Sequence, residues 1–68
     1  MNIFNDSLKK DLNQIISANV EITKGTIGNN DLSIEVKYNH PIAFQSYLYK
    51  IESSRDNDFE ELKNLKND

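Results

Sequence analysis

Residues 40–54, HPIAFQSYLYKIESS, decide the fold of this chain, because the same letters fit two templates. As a helix they place Pro41 in the first turn, where its missing N–H costs nothing, and set Phe44, Tyr47, Leu48 and Ile51 at i, i+3, i+4 and i+7. As a strand they give Ala43-Gln45-Tyr47-Tyr49-Ile51 on one face and Ile42-Phe44-Ser46-Leu48-Lys50 on the other. Neither strand face is clean, although tyrosine and isoleucine favour sheets. The helical template fits better, and a helix over 42–53 is expected.

The stretch before it, VEITKGTIGNNDLSIEVKY (20–38), reads as a β-hairpin. Leu32, Ile34, Val36 and Tyr38 alternate with polar residues, as do Val20 and Ile22. Opposed residues share a face, so Ile22 should stand opposite Val36 and Val20 opposite Tyr38. That register continues to Thr26 opposite Leu32 and Ile27 opposite Asp31, leaving Gly28-Asn29-Asn30 as an odd loop with a left-handed asparagine. The alternative is an even loop with a bulge at Gly25. In the preferred register Ile27 points away from the core.

Further out, SLKKDLNQIISA (7–18) places Leu8, Leu12, Ile15 and Ile16 on one helical stripe. Asn5 or Asp6 suits its N-cap, Phe4 a hydrophobic staple, and Asn19 a left-handed exit. Downstream, SSRDND breaks the pattern, Asn57 and Glu60 resemble a capping pair, and Phe59, Leu62 and Leu65 stripe a short last helix. The expected fold is α+β with the order α-β-β-α-α, a single domain over 1–68. The alternative is α-β-β-β-α with a three-stranded antiparallel sheet.

A chain of 68 residues buries only about 60% of its unfolded surface, and cysteine is absent, so neither disulfides nor thiolate metal sites support it. One histidine, His40, does not build a metal centre, and its position before Pro41 suits a solvent-facing turn. No apolar run reaches the roughly 20 residues of a membrane span, and the N-terminus lacks the order of a signal peptide, so a cytoplasmic location is expected. Asparagine, isoleucine and lysine make up 25 of 68 residues, a bias toward AT-rich codons that points to a low-GC bacterium or one of its phages. Residues 1–51 are neutral, and the whole net charge of −3 falls on 52–68.

No motif supports an enzyme, and no cofactor or metal is implied. The acidic cluster Asp56, Asp58, Glu60 and Glu61 would suit mimicry of nucleic-acid phosphates or a hard cation, but DNDFEE lacks the glycine and distal glutamate of a calcium loop. Acids at a helix start also answer the helix dipole. Tyr38 and Tyr49 are candidate interface anchors, Tyr49 pointing outward beside Ile27 on the helical assignment. With that assignment both hairpin edges are unpaired, which favours a dimer or a partner protein.

The expected function is a small non-enzymatic protein-binding module, a phage or mobile-element regulator or inhibitor of a host bacterial protein acting by surface occupation. One alternative is an oligomer binding a nucleotide-like ligand, with Lys9, Lys10 and Arg55 converging. Another is a DNA-binding repressor or antirepressor, which the acidic balance and the missing basic stripe favour least.

Overall fold

The structure, a computed structural model, describes residues 3–27 and 31–67. Five elements follow in the order α1 (Asp6–Ser17), β1 (Val20–Ile27), β2 (Asp31–Asn39), β3 (Ile42–Tyr49) and α2 (Glu52–Asn67). This is the α-β-β-β-α alternative, and the expected helix over 42–53 is overturned. The strands form one antiparallel sheet in the order β1-β2-β3.

Packing decides the ambiguous stretch. The helical spacing of Phe44, Tyr47, Leu48 and Ile51 mixes both faces of the actual strand: Tyr47 is buried, whereas Phe44 and Leu48 are exposed and Ile51 lies past its end. A two-residue turn at His40–Pro41, whose peptide is cis, brings Ile42 opposite Asn39. A cis proline at the third position of a tight turn is a known turn class, and this one folds β3 back along β2. Tyr47 and Tyr49 then face the helices opposite Ile34 and Leu32.

The hairpin keeps the expected register, with Val20 opposite Tyr38, Ile22 opposite Val36, Thr26 opposite Leu32 and Ile27 opposite Asp31. Gly25 pairs regularly with Ser33, so no bulge is present there. The loop Gly28-Asn29-Asn30 lies outside the described residues.

The core gathers Leu8, Leu12 and Ile15 of α1, Ile34 and Val36 of β2, Tyr47 and Tyr49 of β3, Leu62 of α2, and Ile3. Strand residues two apart share a face, so both helices lie on one side of the sheet. The shortest dimension of the molecule, 18 Å, accommodates one helix layer on one sheet.

Both helices depart in detail from the sequence reading. Of the two expected caps, Asn5 and Asp6, it is Asn5 that caps α1, its side chain accepting from the Leu8 N–H at 3.0 Å. Phe4 is exposed, and Ile3 is buried in its place. The helix leaves through Ala18 in an extended conformation. Its last carbonyls are taken by the Lys66 ammonium of α2, at 3.2 Å from Ile15 O and 2.5 Å from Ala18 O. A cation there satisfies orphan acceptors and answers the dipole. α2 begins at Glu52, five residues before the expected cap at Asn57, because the chain turns over Lys50 and Ile51 directly from β3. The Arg55 N–H then bonds the Ile51 carbonyl at 3.1 Å.

Candidate binding surface

β3 has two unlike faces. On the inner one, each tyrosine hydroxyl donates to a helix carboxylate: Tyr47 to Asp11 of α1 at 2.8 Å, and Tyr49 to Asp58 of α2 at 2.5 Å. Burial first, and then the hydrogen bond and charge of the partner carboxylate, push both phenol pKa values well above the usual 10. Tyr38 is pushed up by burial and by the Asp11 charge. Tyr49 is therefore a buried staple, 8% exposed, and the expectation of an outward interface tyrosine is corrected. Tyr38 is half-buried and packs against the core.

Asp58 is wholly buried and accepts from four donors, the Tyr49 hydroxyl, the Phe4 and Asn5 N–H groups at 2.9 and 3.0 Å, and the Asn57 side-chain amide at 3.3 Å. It sits in the second turn of α2 and fixes the segment leading into α1. The other acids of the expected cluster disperse. Asp56 pairs with Lys24 at 3.5 Å and with Arg55 at 3.2 Å, Glu60 is exposed, and Glu61 is half-buried. Since α2 starts at Glu52, the first-turn acid is Glu52 rather than this cluster. Among the described residues no three acids or histidines assemble as a metal site. Ile27 takes its expected ladder position opposite Asp31, and the direction of its side chain lies outside what is described. Arg55, a candidate for anion binding, bonds the Gly25 carbonyl at 3.2 Å and neighbours Glu52 and Asp56.

The outer face of β3 carries Ile42, Phe44 and Leu48, which are 70%, 68% and 58% exposed. Neither helix lies on that side. A shallow groove of about 220 Å³, lined by Glu21, Thr23, Glu35, Lys37 and Phe44, runs beside them. It is smaller than the roughly 300 Å³ at which small-molecule sites begin.

The edge of β3 is open as well. The Asn39 N–H bonds the Asn19 carbonyl, which assigns the odd-numbered groups of β2 to β1 and, by alternation, its even-numbered groups to β3. Their partners in β3 are Ala43, Gln45, Tyr47 and Tyr49. Ile42, Phe44, Ser46 and Leu48 accordingly direct their backbone groups outward. The Leu48 carbonyl accepts from the Asn5 side chain at 2.9 Å, as this parity requires. The described residues supply no partner for the outward groups of Ile42, Phe44 and Ser46. The expectation of two bare hairpin edges is thus half corrected: β2 is internal, and the open edges belong to β1 and β3.

No family model, curated protein or solved structure matches this chain. The strip Ile42-Phe44-Leu48 was within reach of the sequence. The signal was a strand with apolar residues on both faces, in a chain too short to cover both.

Proposed function

We propose that this chain is a non-enzymatic protein-binding module that works by covering part of another protein's surface with the outer face of β3. The observation that carries the reading is three large apolar side chains, all more than half exposed, in one row with Ser46 on the sheet face that lacks helices. Monomeric proteins rarely leave contiguous apolar patches of more than a few hundred Å² without an interaction to serve. The inner face is built for rigidity, with both tyrosines locked to carboxylates, so the outer strip is presented on a fixed platform. Small size, acidity and a codon bias toward AT fit a regulator or inhibitor of a bacterial host protein encoded by a phage or mobile element. No helix among the described residues is long and apolar enough to cross a membrane.

The test is a photo-crosslinking amino acid at position 44, with position 10 on α1 as the control, irradiated in bacterial cells of low-GC type. One recurrent adduct with a different protein from position 44, absent from position 10, is the expected result. Equal adduct patterns from the two positions contradict the reading.

A further inference from the structure

We infer that the open edge of β3 pairs with the same edge of a second copy, antiparallel about a two-fold axis at Phe44, to make one continuous six-stranded sheet. The inference rests on the binding reading above and names the occupant of the backbone edge that borders that face.

Three observations single out a second copy. The free backbone groups form a short run, Ile42, Phe44 and Ser46, bounded by the Pro41 turn at one end and by Asn5 on the Leu48 carbonyl at the other. Its midpoint is Phe44, so the run is complementary to itself. Phe44 stands opposite Phe44 and Ile42 opposite Ser46, which closes about six backbone hydrogen bonds.

Charge comes second. β3 contains no charged residue and no proline, the usual guards of an exposed edge. Of the two helices bonded to it, α1 is neutral, with Asp6 and Asp11 against Lys9 and Lys10. The acidic helix α2 reaches β3 through Asp58 on Tyr49 but meets β1 more extensively, through Lys24–Asp56, Arg55 on the Gly25 carbonyl, and a cleft lined by Val20, Ile22, Lys63 and Lys66. Pairing through β1 would set two segments that each carry the net charge of −3 nearer to one another than pairing through β3 does.

The third is the side chains at the seam. Edge pairing extends the sheet and sets Phe44, 68% exposed in one copy, beside the second copy's Phe44 as an aromatic cross-strand pair, and joins the two apolar strips into one.

Sedimentation equilibrium of the full chain, with the Ser46→Pro and Phe44→Lys variants, tests the pairing. The Ser46 N–H faces outward, so proline there removes only a bond to the second copy. The native chain should be dimeric, and each variant should weaken the dimer by about tenfold or more while keeping the native circular dichroism. In a mixed sample of labelled and unlabelled chains, an intermolecular Hα–Hα NOE between Ala43 and Gln45 marks the register. If Ser46→Pro unfolds, Phe44→Lys and the NOE decide. A native monomer, a dimer indifferent to both variants, or a missing NOE overturns the inference. A monomer whose residue-44 probe still captures a different protein refutes the self-pairing and leaves the binding reading standing. A dimer whose probe links only to its own second copy does the reverse.

Discussion

Asp58 shows how much of this small fold rests on single side chains. Its carboxylate is fully buried yet faces only donors, two backbone N–H groups, the Tyr49 hydroxyl and the Asn57 side-chain amide. Asn at this position would turn an amide N–H toward a group that itself donates. Asp58→Asn is expected to lower stability by about 2–4 kcal/mol in urea titrations, while Glu60→Gln on the exposed side of the same helix should stay within about 0.5 kcal/mol. Tyr49→Phe leaves Asp58 three of its donors and should cost about 1–2 kcal/mol. The two changes share a partner, so the double variant should lose less than their sum. Sequence alone placed Asp58 in a cluster of four acids within six positions, read as phosphate mimicry, a cation site or acids at a helix start that answer the dipole. Only the strand assignment of β3, which puts Tyr49 beneath α2, shows that one of the four turns inward.

At the level of elements, register was more legible than type. Alternation in β1 and β2 gave the pairing of Ile22 with Val36 and of Ile27 with Asp31, because a slip by one residue would move every apolar side chain to the wrong face. The stripe of α1 was equally plain, and its cap was narrowed to Asn5 or Asp6. β3 was not, since its outer face is apolar where a covered sheet would be polar, and a strand apolar on both sides imitates a helical stripe. The same outer face is the proposed binding surface, so the misreading and the proposal rest on one physical feature. A proline pair separates the two assignments. Gln45→Pro deletes an N–H that bonds β2 and should cost about 3 kcal/mol or more, whereas Ser46→Pro, one residue on, should leave the monomer folded; a helix would be broken by either. Thermal melts followed by circular dichroism read the difference. Lys66 joins the two helices in a similar way, and Lys66→Met should cost about 1–2 kcal/mol and speed amide exchange in the last turn of α1.

For the whole molecule, the tyrosine–carboxylate staples make stability depend on alkaline pH. The fold raises the phenol pKa values of Tyr38, Tyr47 and Tyr49 above the 10 of the unfolded chain, so it favours the protonated form. Their contribution is complete below about pH 10 and falls as pH rises beyond it, since the unfolded chain ionises first. Urea midpoints should therefore hold up to about pH 9 and drop as pH rises through about 10 and beyond, less steeply in the Tyr47→Phe, Tyr49→Phe double variant. A midpoint as flat in the native chain as in the variant would remove the staples from the account.

Amide hydrogen exchange along β3, followed at several protein concentrations, bears most directly on the claim that this strand is locked on one side and open on the other. Ala43, Gln45, Tyr47 and Tyr49 should be protected at every concentration, because their N–H groups bond β2. Phe44 and Ser46 should exchange freely in dilute solution and gain protection as the concentration rises. Uniform protection along 42–49 in dilute solution, or fast exchange of Phe44 at every concentration, would contradict it.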